Sequence, residues 1–160
     1  MLNNDYTVRE LPEEQAALSA ALALVWRVFQ EFEAPDYSEE GIQAFQDFIA
    51  PAAVQRKIEE KELAMWGCFD GEKIIGVIAL RLPCHIALLF VDKAWHRRGV
   101  ARSLLDAAVA FCIKEGRCRE MTVHSSPYAV PAYRRLGFAD TGAEQTVDGL
   151  RFTPMKHMFR

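Results

Sequence analysis

The sequence predicts a mixed α/β (α+β) layer domain. Three observations predict it. Apolar residues recur at helical spacing through the first third. A hairpin-like pair of apolar runs follows. A strand apolar on both faces then leads through a helix to a further strand, the pattern of a parallel crossover.

The elements follow in order. Tyr6 to Arg9 forms a short first strand. From Pro12, Leu18, Leu22, Val25, Phe29 and Phe32 make one helical stripe, with Glu13 and Glu14 suited to the positive end of the helix dipole. Pro35 breaks the loop "EFEAPDY"; Ser38 then caps a second helix whose stripe is Ile42, Phe45 and Ile49. Pro51 interrupts or restarts that helix. "ELAMWGCF" and "EKIIGVIALRL" read as a hairpin with Asp70-Gly71 in its turn. "HIALLFV", His85 to Val91, is a central strand. Val100, Leu104, Ala108, Phe111 and Cys112 mark a helix ending near Gly116. "EMTVHS" is a strand and "PYAVPAYRRLG" a short helix; "FADTG" and "LRFTPMKHMF" finish as strands.

The 160 residues fit one domain, 1–160. The net charge of −3 argues against a general nucleic-acid binder, which usually carries a basic excess. No run reaches the ~20 apolar residues of a membrane span, and the first residues lack a signal-peptide pattern. Cys68, Cys84, Cys112 and Cys118 form no C-x-x-C pair, so free buried thiols in a reducing cytoplasm are expected, with no metal.

"FVDKAWHRRGVARSL" carries the chemistry. Helix starts ordinarily favour acidic residues, yet His96, Arg97 and Arg98 precede Gly99 and a helix. Unpaired amides at a helix start bind phosphate, Gly99 allows close backbone approach, and Ala101 leaves room. Arg97, Arg98 and Arg102 add positive charge, so the stretch suits a pyrophosphate; the plainer reading is a solvated basic turn. It matches neither the P-loop nor the dinucleotide fingerprint.

Two motifs decide between these readings. "HRRGVA", with Val91 upstream, resembles the [QR]-x-x-G-x-[GA] acetyl-CoA signature of the GCN5-related N-acetyltransferases (GNAT). "SSPYAVPAYRRLGF", Ser125 to Phe138, resembles that family's second signature, in the right order and at the usual separation. His96 departs from the usual Gln or Arg, Lys93 replaces a frequent proline, and Ser126 stands where Asn is common.

The resemblance implies a mostly antiparallel sheet whose central parallel strands splay apart. It implies direct acetyl transfer from acetyl-CoA to a primary amine of a small molecule or an exposed protein amine. Leu89 and Val91 would pair with the pantetheine arm, the amides of Arg97, Arg98, Gly99, Val100, Ala101 and Arg102 would hold the pyrophosphate, and Ser126 would contact the cofactor. Tyr133 holds the general-acid position, since a phenol of pKa ~10 stays protonated at pH 7. Tyr128, five residues earlier, packs or lines the pocket.

The base is open. His85 starts the central strand near the family's usual carboxylate and titrates near neutrality. His124 is a second candidate, and water relayed to a carboxylate a third. Glu33, Asp36 and Tyr37 lie in a loop that lines the acceptor side in the family, where the acids suit a cationic amine. The implied protein is a cytoplasmic enzyme, monomer or homodimer, with an amine acceptor and no nucleic-acid or membrane partner. A non-catalytic acyl-CoA sensor on the same fold is the alternative, and a subunit whose partner completes the acceptor site is a third reading.

Overall fold

A computed structural model describes residues 6–12 and 14–159. The strands are β1 (Tyr6–Leu11), β2 (Leu63–Asp70), β3 (Lys73–Arg81), β4 (His85–Val91), β5 (Glu120–Ser125), β6 (Ala139–Asp140), β7 (Gln145–Val147) and β8 (Leu150–Met158). The helices are α1 (Gln15–Phe32), α2 (Glu39–Phe48), α3 (Pro51–Glu59), α4 (Val100–Glu115) and α5 (Val130–Arg135). The sheet runs β1-β2-β3-β4-β5-β8-β6, with β7 paired to β8 off that path. Every pairing is antiparallel except β4 with β5, so the mixed sheet with a central parallel pair is what the chain forms.

Local chemistry accounts for most boundaries. The Ser38 hydroxyl accepts from the Gly41 amide at 3.1 Å and caps α2. Pro51 opens α3, where a missing amide donor costs nothing. Gly116 closes α4 in the left-handed conformation, its amide donating to Cys112 O at 3.0 Å. Some expectations shift. Helix α1 starts at Gln15, three residues after Pro12, and Glu13 lies outside the described residues. The hairpin turn is Gly71-Glu72, since Asp70 still pairs with Lys73.

Helices cover both faces of the sheet. On one, Leu18, Val25 and Phe29 of α1 pack with Met65, Val77 and Phe90. On the other, Val100, Leu104 and Ala108 of α4 pack with Ile75 and Ile78. Each such buried Val, Leu, Ile, Met or Phe contributes about 1.5–3 kcal/mol, and the Ala108 methyl less. Gly76 permits the close approach of α4, because a Cβ there would stand 2.8 Å from the Val100 methyl.

The cysteine expectation is corrected. Cys84 and Cys118 are joined in a disulfide, while Cys68 and Cys112 are free and buried. The two partners precede β4 and β5, and parallel pairing brings these strand starts together although 34 residues separate them. Cysteine usage therefore no longer argues for a reducing compartment. Among the described residues no helix is long and apolar enough to cross a membrane.

Candidate active site

The site begins where the parallel strands part. β4 and β5 pair only at His85–Thr122 and Ile86–Val123. Next to these pairs the β3–β4 register skips Ala87, since Ala79 faces Leu88 and Leu80 faces Ile86. Such a bulge bends a strand and frees backbone groups. Beyond it the β5-facing edge of β4 has no partner strand among the described residues, and two cavities open.

The first cavity, about 340 Å³, lies between the C-terminal half of β4, the start of α4, and α5. The second, about 380 Å³, lies between β4, β5, the loop after α1, and the β7–β8 hairpin. Glu33 and Tyr133 line both.

The turn before α4 is held from several sides. Asp92 Oδ1 accepts from the Ala94 amide at 3.0 Å, and Arg27 pairs with the same carboxylate at 2.8 Å. The Tyr6 hydroxyl donates to Arg98 O at 3.2 Å. Arg97 and Gly99 both adopt left-handed backbone, φ 63° and 82°. The α4 ladder begins with the Ser103 amide donating to Gly99 O at 3.0 Å. The first-turn amides before Ser103 therefore project beyond the helix end.

Arg97, Gly99, Val100, Ala101 and Arg102 line the first cavity, as do Leu89 and Val91. Arg98 is not among the lining residues; its guanidinium lies over the Trp95 ring at 5.1 Å. Arg102 spends its guanidinium on α5, donating to Leu136 O at 3.3 Å and Arg135 O at 3.2 Å. Arg135, not singled out from the sequence, is a third arginine in the lining beside Arg97 and Arg102. His96 ties the strand end to the turn, its Nε2–H donating to Val91 O at 2.8 Å.

The wall common to both cavities carries two strongly shifted titratable groups, Glu33 and Tyr133. Tyr133 is 6% exposed. Burial first, then the Glu33 and Tyr37 charges, pushes its phenol well above the ordinary range and keeps it protonated. Burial also lifts the Glu33 carboxyl to about 7; the Ser126 hydroxyl partly offsets this and Asp36 adds to it. Ser126 is buried and lines the second cavity rather than the first, and its hydroxyl accepts from the Ala129 amide at 3.2 Å at the start of α5. Tyr37 lines the second cavity too, its phenol pushed up by burial and by Glu33.

Other predicted residues stand apart. His85 lines neither cavity. It shares a 2.8 Å hydrogen bond with Thr122 through Nδ1, and burial, Arg81 and His124 lower it to about 4. His124 does line the second cavity, stacked on Phe152 at 4.2 Å, and burial lowers its pKa. Asp36 lines neither cavity and faces Arg151 at 3.6 Å. Tyr128 stacks on Phe32 at 5.0 Å on the rim of the first cavity.

The first cavity fits coenzyme A in its donor set. First-turn amides and three arginines, two of them with guanidiniums not given to α5, suit a diphosphate, and Leu89, Val91 and Leu136 suit an extended, largely apolar arm. Among the described residues no cluster of three or more His, Cys, Asp or Glu side chains is arranged to hold a metal ion.

Comparison with known proteins agrees with this architecture. Residues 33–159 match the family described as acetyltransferase (GNAT) domain, and the chain belongs to that family. No curated protein sequence matches. Among solved structures, a GCN5-related N-acetyltransferase from Rhodopseudomonas palustris superposes with a TM-score of 0.79 at 20% identity, covering 96% of this chain and 95% of that one. The PaiA N-acetyltransferase of Thermoplasma acidophilum, in complex with coenzyme A, gives 0.75 at 17% identity over 96% and 99%. A GNAT-family acetyltransferase from Staphylococcus aureus gives 0.71 at 14% over 96% and 100%. At these identities the likeness is one of fold.

Proposed function

We propose that this protein is an N-acetyltransferase that uses acetyl-CoA to acetylate a primary amine of a small molecule or an exposed protein amine. The observation that carries the reading is that Glu33 and Tyr133 line both cavities, so an acid and a base stand where donor and acceptor would meet. The family and the coenzyme A complex of a structural relative support the choice of donor.

The first cavity would hold the cofactor through the first-turn amides of α4, Arg97 and Arg135, with the arm against Leu89 and Val91. Bound there, acetyl-CoA supplies the acetyl group: a C–N bond to the amine forms as the thioester C–S bond breaks.

The chain's own groups manage the protons. An alkyl ammonium of pKa ~10.4 cannot attack until it loses one. A carboxylate with pKa near 7 is about half ionised at neutral pH, so Glu33 can take that proton. Tyr133, protonated at any working pH, donates to the departing sulfur, and the second proton shed by the nitrogen as the amide forms restores its phenol. Ser126 orients Glu33 and sets its basicity rather than touching the cofactor. His85, bonded to Thr122 outside both cavities, is left a structural role in this reading.

A thiol-release assay with acetyl-CoA across amines tests the proposal. Amine-dependent release, with the acetylated amine found by mass spectrometry, is the expected result. Tight acetyl-CoA binding without release for any amine would favour the sensor instead.

A further inference from the structure

We infer that the acceptor is a small primary amine with an aromatic or bulky apolar body and no carboxylate or phosphate, seated in the second cavity with its ammonium toward Glu33. The inference rests on the N-acetyltransferase reading above and narrows its substrate class.

Charge gives the first argument. The acidic groups lining the second cavity are Glu33 on the shared wall and Asp148 at the exposed rim. Among the described residues no lysine or arginine lines it. Arg151 is engaged outside the lining, 3.1 Å from Glu144 and 3.6 Å from Asp36. His124, the remaining basic side chain of the lining, is biased toward neutrality by burial and by Arg81. An anionic group on the ligand would thus meet two carboxyl groups in the lining, while the nearest cations, Arg151 behind Tyr37 and Arg81 behind His124, act only from outside it; that imbalance is costly in a partly desolvated pocket.

Shape gives the second. Tyr37, Phe45 and Phe152 supply aromatic walls, and Leu150 closes them from the hairpin. These walls are braced from behind: Phe45 stacks on Phe29 at 3.9 Å and Phe152 on His124 at 4.2 Å. Fixed ring faces favour an apolar body over a linear, fully hydrated chain. One ammonium is matched by Glu33, leaving the walls to desolvated carbon.

The test compares three amines with the intact protein and saturating acetyl-CoA: phenethylamine, phenylalanine (the same body with a carboxylate) and putrescine (a second amine without apolar bulk). Phenethylamine is expected to show kcat/KM about 100-fold above phenylalanine and at least about tenfold above putrescine. A ratio below tenfold against phenylalanine, or a preference for putrescine, overturns the inference while leaving the acetyltransferase reading in place. Should no amine release thiol, that reading fails, and calorimetry on the coenzyme A-loaded protein decides the inference alone. Phenethylamine binding at least tenfold tighter than phenylalanine supports it; equal or absent binding overturns it.

Discussion

Glu33 and Tyr133 line the same two cavities, and the charge of the Glu33 carboxyl raises the pKa of the Tyr133 phenol. Glu33 comes from the end of α1 and Tyr133 from α5, a hundred residues later. Burial shifts both upward, which places a carboxyl titrating near neutrality beside a phenol held in its protonated form, the pair that the proposed mechanism uses as base and acid.

The first prediction concerns that base. Glu33→Gln should lower turnover by about 100-fold or more, the usual range for losing a general base, with little change in acetyl-CoA affinity. In the wild type, activity should rise with pH through about 7 as Glu33 ionises, and the variant should lose this limb. Rate profiles from pH 5 to 9 check it; an intact limb in the variant would assign the proton to another group.

A stability signature accompanies it. A carboxyl raised from 4.5 to about 7 on folding contributes stability below pH 4.5 that is lost as pH rises through 7. Glu33→Gln should therefore melt higher than the wild type at pH 8, with the difference closing by pH 4. Thermal melts at the two pH values read this without any substrate.

Tyr133→Phe removes the proton donor while keeping the packed ring, which contacts Phe138 at 5.3 Å. Turnover should fall about 100-fold while acetyl-CoA affinity stays within about twofold. Single-turnover thiol release beside calorimetry separates the two effects, and unchanged release would remove the phenol from the chemistry.

Ser126→Ala should push the Glu33 carboxyl further up, because the hydroxyl lowers it. The rising limb of the pH–rate profile should move to higher pH. The variant also loses the acceptor for the Ala129 amide, costing about 1–3 kcal/mol at the start of α5. A downward move of the limb would contradict the assignment.

His85→Ala should leave the rising limb in place, because His85 lies outside both cavities. It should cost about 0.5–1.5 kcal/mol of stability through the lost Thr122 bond. Loss of the limb in this variant would return the base to the histidine.

Much of this arrangement was legible in the sequence, and the exceptions share one cause. β4 and α4 declare themselves locally, through a run apolar on both faces and a basic, glycine-containing helix start. Whatever depends on a distant partner does not. Nothing local separates the loop acid Glu33 from Asp36 until Ser126, 93 positions later, is folded against it. Arg102 reads as a phosphate ligand until α5 presents its carbonyls. The Cys84–Cys118 bond needs parallel strand starts to become neighbours. β7, three exposed residues folding back on β8, carries too little apolar pattern to be seen.

A crystal structure of the protein with bound coenzyme A tests the central claim most directly. The account predicts the diphosphate on the amides between Arg97 and Arg102, Arg135 nearby, and the sulfur beside the Tyr133 hydroxyl. Coenzyme A bound elsewhere, or lying in this cavity with its sulfur turned away from Tyr133 and Glu33, would contradict it.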